Sequence, residues 1–202
     1  MKALSTTHCA LGALLLLLAG GCWTPSYYVD VYLSPHLKET YKVYPSIEVD
    51  IVGADKNDAE RLESCDVDDY FEVGDPLRKS TPHATLHFTE TDILPKRLST
   101  WDPIWDVFDD KDANQFYVMV NLPKVAPKAG AKKKAKSEPK EGRRIVMPLE
   151  PKNWFLQIVW PWYYRTRAFE ITPAGVNCLG NAPEGAPEPV VERSKLVTGD
   201  ER

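Results

Sequence analysis

The sequence predicts a mainly β protein, an antiparallel β-sandwich of about seven strands with one or two short helices. Three observations predict this fold class. Short segments alternate between polar and apolar residues and are rich in β-branched and aromatic side chains. Pro and Gly separate these segments. Strands do not alternate regularly with long helical segments, as they would in a parallel α/β protein.

The predicted strands are short and differ in how clearly they alternate. The pattern is clearest in residues 46–52, where Ile47, Val49 and Ile51 share one face and acidic residues share the other. Segment 154–160 is apolar on both faces, which is typical of a central strand that is covered on two sides. The predicted strands are 27–33, 46–52, 84–90, 115–122, 144–149, 154–160 and 164–172.

Three segments have helical features, and one or two of them are predicted to form short helices. Residues 55–64 have helical composition, and Asp55 is placed to act as the N-cap. Residues 67–72 are predicted to form a short helix or turn whose two aromatic residues pack inward. Between 91 and 110, where two prolines interrupt the chain, we expect a short helix after a Ser or Thr cap.

One folded domain is predicted, over residues 27–178. Within it, residues 124–143 are almost all Lys, Ala, Pro, Gly and Glu. Such a segment cannot bury enough apolar surface to offset its ordering entropy, so we expect a mobile loop that joins two neighbouring strands. Residues 179–202 are rich in Pro, Glu and Gly, and we expect a disordered tail.

The N-terminus reads as an export signal. Lys2 is followed by the apolar run 14–18 and by small residues directly before Cys22. This order is typical of a secretory signal, which is too short to span a bilayer. The cysteine makes it resemble the lipobox of bacterial lipoproteins, although Ala19 stands where leucine is commoner. An ordinary cleaved signal with an incidental cysteine is the alternative.

That resemblance implies how the chain is processed and where it resides. Residues 1–21 would be removed, Cys22 would carry the lipid, including palmitate, and residues 22–26 would be a tether. The next residue is Trp23 and not the aspartate that retains lipoproteins of enteric bacteria in the inner membrane. The resemblance therefore implies a protein that is lipid-anchored in the outer membrane and faces the periplasm.

Besides the cysteine that would be acylated, the processed chain would keep two cysteines, Cys65 and Cys178. An even pair in an oxidising compartment predicts a disulfide between them. The alternative is two thiols that lie too far apart to bond. Neither belongs to a CxxC pair, so a redox or zinc role is not predicted.

Composition and motifs favour no catalytic class. The net charge is −4, so the chain lacks the basic balance of nucleic-acid-binding domains, and we expect no nucleic-acid partner. Asp110, Asp112 and Asn114 imitate the start of a calcium loop, but Gln115 stands where that loop needs glycine. No GxSxG motif frames a nucleophile. We therefore expect no enzyme, no metal and no cofactor.

The late aromatic residues are the most unusual feature of the composition. Trp162, Tyr163 and Tyr164 follow Pro161 and would form an exposed platform for a partner protein or a sugar. Most of the aromatic cluster around them is also consistent with a buried central strand. The basic loop 124–143 offers positive charge to anionic surfaces, or is simply a solvated linker.

Four features of the chain are together similar to the TssJ family. They are the lipobox, SIEVDIVGA (46–54), DDYFEVGDPL (68–77) and the late pair RIVMPLEP and WFLQIVW. These proteins are outer-membrane lipoproteins of type VI secretion systems. The resemblance implies a small transthyretin-like β-sandwich with extra helices, which docks the periplasmic domain of TssM. Ser34-Pro35 replaces the family's Asn-Pro, and the Pro-Gly turn before the late strands is missing, so the partner-binding loops do not align.

The sequence therefore predicts a non-enzymatic lipoprotein that serves as a structural or interaction component of an envelope complex. Two other functions stay open. One is a surface lipoprotein that binds a glycan or another ligand through Trp162, Tyr163 and Tyr164. The other is a hydrolase with two converging carboxylates.

Overall fold

The computed structural model describes residues 27–123, 142–149 and 166–194. They form short helices and two β-sheets. In chain order the elements are β1 (Tyr28–Leu33), α1 (His36–Tyr41), β2 (Ile47–Ala54), α2 (Lys56–Ser64), α3 (Val67–Tyr70), α4 (Pro76–Ser80), β3 (His83–Phe88), β4 (Lys96–Leu98), α5 (Ile104–Asp110), β5 (Gln115–Asn121), β6 (Arg144–Pro148), β7 (Thr166–Thr172), β8 (Gly175–Leu179) and β9 (Val190–Glu192).

The two sheets confirm the predicted β-sandwich. Sheet A has five strands in the order β8-β7-β1-β4-β9, and sheet B has four in the order β3-β2-β5-β6. The strands on either side of the basic loop, β5 and β6, pair as predicted. The direction of two pairings differs from the predicted antiparallel arrangement, because β1–β7 and β4–β9 pair in parallel. Long connections permit parallel pairing, and alternation along one strand does not reveal its direction.

The main core lies between the sheets, where the predicted alternation places the apolar residues of each strand. Ile47, Val49 and Ile51 of β2 all point into it and are at most 1% exposed. At one end of the sandwich, α5 closes the core with Trp105 and Phe108. Tyr27 packs there on Trp105, with ring centroids 6.0 Å apart.

A second apolar cluster covers the outer face of sheet B, beneath α2, α3 and α4. The predicted helix at 55–64 is confirmed as α2, and the Asp55 carboxylate accepts the amide of Asp58 at 2.7 Å. Tyr70 and Phe71 pack inward as predicted, with 1% and 9% exposure. The sandwich therefore has a third, helical layer on one side only.

Several elements differ from the predictions. Residues 36–41, which lie between two predicted strands and for which no helix was predicted, form α1. The first turn of α5 uses Asp102 and not Ser or Thr, because the amide of Ile104 donates to Asp102 Oδ1 at 3.0 Å. The tail predicted to be disordered from residue 179 contains β9, which pairs with β4. Three residues are too few for a periodic signal, and their order comes from contacts with distant residues.

Other predictions fall partly or wholly outside the described residues. These are the strand at 154–160 and most of the basic loop. Within the described ranges, no helix has both the length and the apolar character that a membrane span requires.

Candidate interaction surfaces

The residues that the sequence singles out for acylation and binding lie outside the described ranges. Cys22 precedes residue 27, and Trp162, Tyr163 and Tyr164 fall between residues 149 and 166. The acylation site and the aromatic platform therefore stay predictions.

The two cysteines predicted as a disulfide are not bonded to each other in the structure. Cys65 follows α2 and packs on the helical layer, with its Sγ 3.2 Å from the carbonyl oxygen of Leu62. Cys178 lies on β8 opposite Phe169, whose ring is in the core between the sheets. Sheet B therefore separates the two positions. An even cysteine count and an oxidising compartment do not reveal such a separation.

Residues 180–189 form a strap that crosses the outer face of sheet A, from β8 at one edge to β9 at the other. A cavity of about 470 Å³ lies between the strap and the sheet. Asp30, Tyr32 and Arg97 contribute to its sheet side, and Glu188 contributes to its strap side. Its volume is within the range of small-molecule sites.

The floor of this strap cavity contains a bidentate ion pair. Arg97 donates through Nε to Asp30 Oδ1 at 2.6 Å and through Nη2 to Asp30 Oδ2 at 2.7 Å. The hydrogen bond with Asp30 raises the pKa of the Arg97 guanidinium. Burial and then the charge of Asp30 raise the pKa of the Tyr32 hydroxyl. The two charges of the floor therefore compensate each other.

Lys96, inside the sandwich, binds β9, the strand that follows the strap. Its side chain is 4% exposed, and its ammonium donates to Glu192 of β9 and to Asp92, the latter at 2.7 Å. Burial disfavours the charged form, but hydrogen bonds to both carboxylates raise the pKa of Lys96. The tail thus supplies one of the two countercharges around a buried cation.

Asp102 provides the second attachment, by binding Ser194 two residues after β9. Its carboxylate accepts the amide of Ser194 at 2.9 Å and the Ser194 hydroxyl, and it also accepts the amide of Ile104 in α5. Asp102 is only 5% exposed. One buried carboxylate therefore joins the loop after β4, the first turn of α5 and the end of the strap.

Replacing Asp102 by alanine is expected to release residues 190–194 and to lower the free energy of unfolding by about 1–2 kcal/mol, within the usual cost of leaving buried hydrogen-bond donors without their acceptor. Hydrogen exchange at the amides of Val190 and Ser194 should become faster. Asp106→Ala is the matched control, because Asp106 is an exposed aspartate in the first turn of α5. Unchanged protection of both amides in Asp102→Ala would contradict the attachment.

A buried polar cluster lies between β2 and the helical layer. Asp50, which is 0% exposed, accepts hydrogen bonds from Arg78, from the Tyr70 hydroxyl at 3.1 Å and from the Thr85 hydroxyl at 2.6 Å. Burial and then the charge of Asp50 raise the pKa of Tyr70 well above its ordinary value, so its hydroxyl stays a donor. The Arg78 guanidinium also lies 4.8 Å from the ring centroid of Phe71. The cluster fixes α3 and α4 on sheet B.

The strand that follows the basic loop holds the other side of this layer. Arg144 donates to the carbonyl oxygens of Glu63 at 2.9 Å and of Cys65 at 3.1 Å, at the C-terminus of α2. A cation in this position complements the negative end of the helix dipole. Arg143 pairs with Asp68 at 2.5 Å. The described end of the basic loop is therefore tied to the helices.

Exposed apolar residues concentrate around β4 and β9. Eight large apolar side chains are exposed among the described residues. Five of them lie on β9 or in the loops that precede and follow β4: Ile93, Leu94, Trp101, Val190 and Val191. Trp101 is the largest, with 78% exposure. Apolar clusters on a surface often mark contact sites.

Sequence reasoning missed the buried charges. Asp30 and Asp50 occupy the polar positions of alternating strands, which predicts exposure to solvent, yet they are 1% and 0% exposed. Both have arginine partners, in β4 and α4. The available signal was an acidic residue in the middle of a strand, which is unfavourable unless another layer covers and pairs it.

Of the calcium-like residues, Asp110 is the last residue of α5, and Asp112 and Asn114 lie in the turn before β5. Asp112 has a φ of 54°, the left-handed conformation that aspartate tolerates in turns. Within the described ranges, no group of three or more His, Cys, Asp or Glu residues is placed to hold a metal ion.

No protein-family model matches the chain, and no curated protein matches its sequence. Among solved structures, Lip of Serratia marcescens, a membrane-bound component of the type VI secretion system, is 13% identical with a TM-score of 0.46, over 79% of this chain and 99% of that chain. The C-terminal domain of the T6SS protein TssM from EAEC is 13% identical with a TM-score of 0.47, over 76% and 100% of the chains. At this identity the likeness does not assign the chain to a family.

Proposed function

We propose that the protein is a lipoprotein, anchored in the outer membrane through acylated Cys22 and facing the periplasm. It serves without catalysis as a structural and interaction component of an envelope complex of the type VI secretion kind, as TssJ proteins do. Its partner is a TssM-like periplasmic domain.

The observation that carries this proposal is the contact between the two inner segments that resemble the TssJ family. SIEVDIVGA forms β2, and DDYFEVGDPL forms α3, the turn after it and the start of α4. They pack on each other, and the Tyr70 hydroxyl donates to Asp50 of β2. The resemblance implies a sandwich with extra helices, and these segments build the junction between sheet and helices. The two segments therefore form one structural unit, which supports the proposal.

The position of Tyr27 supports the anchor. Tyr27 is already in the core, with 0% exposure. Only four residues separate it from Cys22. A short tether of this kind suits a domain that is held close to a membrane by its N-terminus.

The test is to express the tagged full-length chain and its Cys22→Ser variant in the native envelope, to fractionate the membranes and to identify captured proteins by mass spectrometry. We expect the wild type in the outer membrane together with an inner-membrane protein that has a TssM-like periplasmic domain. We expect Cys22→Ser to lose the acyl groups and the membrane fractionation. Cys9→Ser, a change within the signal, is the matched control and should behave as wild type.

Acylation of the wild type at another position, or none, would contradict the anchor. Capture of the anchored wild type without any secretion protein would contradict the partner. That second result would favour the ligand-binding alternative, for which the strap cavity offers a site of about 470 Å³.

A further inference from the structure

The lipid anchor would hold one particular end of the sandwich at the membrane. Five Cα steps separate Cys22 from Tyr27, and a fully extended chain of that length spans roughly 17 Å. Tyr27 is fixed in the core, because its ring packs on Trp105 and lies 5.9 Å from the ring centroid of Phe116. The end of the sandwich at Tyr27 must then lie within that distance of the acylated cysteine.

Trp101 lies at this same end. β1 and β4 are antiparallel, with Val29 opposite Leu98. The start of β1 is therefore beside the end of β4, and Trp101 follows Leu98 by three residues. The loop is also tied to the residues around Tyr27, because Trp105 Nε1 donates to the carbonyl oxygen of Ser99 at 2.8 Å.

The loop that carries Trp101 is held in place, although the indole is exposed. The amide of Trp101 donates to Ser99 Oγ at 3.2 Å, and the amide of Asp102 donates to the Ser99 carbonyl oxygen at 3.1 Å. Thr100 and Asp102, the neighbours of Trp101 in the chain, are 7% and 5% exposed, whereas Trp101 is 78% exposed. The backbone is therefore packed and hydrogen-bonded while the large amphipathic ring projects outward.

From these observations we infer that Trp101 inserts into the headgroup region of the membrane that holds the acyl chains of Cys22. Tryptophan is favoured at the interface between lipid and water, since its ring is apolar and its N–H needs a polar partner. The inference rests on the proposed lipid anchor. Together the acyl chains and the indole give the domain two points of contact, which set its orientation on the membrane.

The exposed charges on the segments that adjoin the Trp101 loop have both signs. Arg193 precedes the Ser194 that binds Asp102, and Asp106 follows Trp105; both are exposed and they have opposite signs. Asp109 and Asp110 are exposed at the end of α5. Lys111 is exposed directly after them, so the charges at this end are mixed as well. A zwitterionic headgroup matches these mixed charges, and they give an anionic headgroup no net attraction.

The experiment uses the full-length acylated protein in vesicles of phosphatidylethanolamine and phosphatidylcholine whose acyl chains carry bromine, which quenches nearby indoles. Mass spectrometry first confirms acyl groups on Cys22. The chain has six tryptophans. In Trp101→Phe, the part of the emission that bromine quenches should be smaller than in the wild type by about the contribution of one tryptophan. Leu94→Ala, an exposed apolar change at the other end of β4, should match the wild type. Added phosphatidylglycerol should not increase the quenching.

The outcomes separate this inference from the function on which it rests. Acylated protein with equal quenching in wild type and Trp101→Phe would overturn the membrane contact and leave the anchor intact. Burial of the Trp101 indole only when a captured protein is present would assign the indole to a protein interface. That result would also overturn the inference. Protein without acyl groups on Cys22 would overturn both.

Discussion

Replacing Arg78 by methionine is expected to lower the free energy of unfolding by about 3–5 kcal/mol, the usual cost of removing one partner from a buried ion pair. Arg78 donates through Nε to Asp50 Oδ2 at 2.9 Å and through Nη2 to Asp50 Oδ1 at 3.2 Å. The side chain of Asp50 is 0% exposed, and its other donors, Tyr70 and Thr85, are neutral. The variant would leave a buried carboxylate without its countercharge. Unfolding in urea measures the loss.

Arg61→Met provides the matched control. Arg61 pairs with Asp58 at 2.9 Å, a similar distance, but the two side chains are 52% and 28% exposed. Ion pairs at the surface contribute about 0–1 kcal/mol, so little change is expected. Equal losses in the two variants would show that burial does not determine the contribution of the Asp50–Arg78 pair. Adding Asp50→Asn to Arg78→Met should recover part of the loss, since it removes the unpaired charge.

Gly53→Ala is expected to be the second large effect, with a loss of about 1–3 kcal/mol from overpacking. A Cβ at this position would lie 2.3 Å from Cδ1 and 2.6 Å from Cγ of Phe108. Phe108 is 0% exposed and closes the core from α5, so its ring has little room to move. Either β2 or the helix must shift. The midpoint of thermal unfolding, read together with the urea transition, measures the effect.

A glycine without such a neighbour tests whether the clash is the cause. Gly180 has no heavy atom within 4 Å of the Cβ that alanine would add, and we expect Gly180→Ala to change stability by no more than about 0.5 kcal/mol. Combining Gly53→Ala with Phe108→Leu should cost less than the sum of the two single changes, because the smaller side chain relieves the contact. Strict additivity would argue against a steric origin.

Local sequence was sufficient for elements whose stabilising interactions are close in the chain. Alternation in β2 predicted which residues enter the core, because successive strand residues point to opposite faces. Asp55 predicted the start of α2, because the amide that its carboxylate accepts is three residues away. The basic loop predicted that β5 and β6 are neighbours, and they pair with Phe116 opposite Met147.

Elements whose partners are distant in the chain could not be predicted in this way. The ion pair of Asp30 with Arg97 spans 67 residues, and that of Lys96 with Glu192 spans 96. β9 has three residues and depends on β4 and on the Ser194–Asp102 contact for its order. A composition rich in Pro and Glu favours disorder in isolation. Tertiary contacts supply the stabilisation that this composition lacks.

The same division applies to the candidate sites. The predicted export signal consists of the N-terminal charge, the apolar run and the small residues before Cys22, which are contiguous, so its prediction needs the sequence alone. The strap cavity and the placement of Trp101 at the same end of the sandwich as Tyr27 exist only in the folded protein. The first needs a tail that crosses a whole sheet, and the second needs the antiparallel pairing of β1 with β4. Both arise because folding brings together residues that are far apart in the chain, and no local pattern encodes that contact.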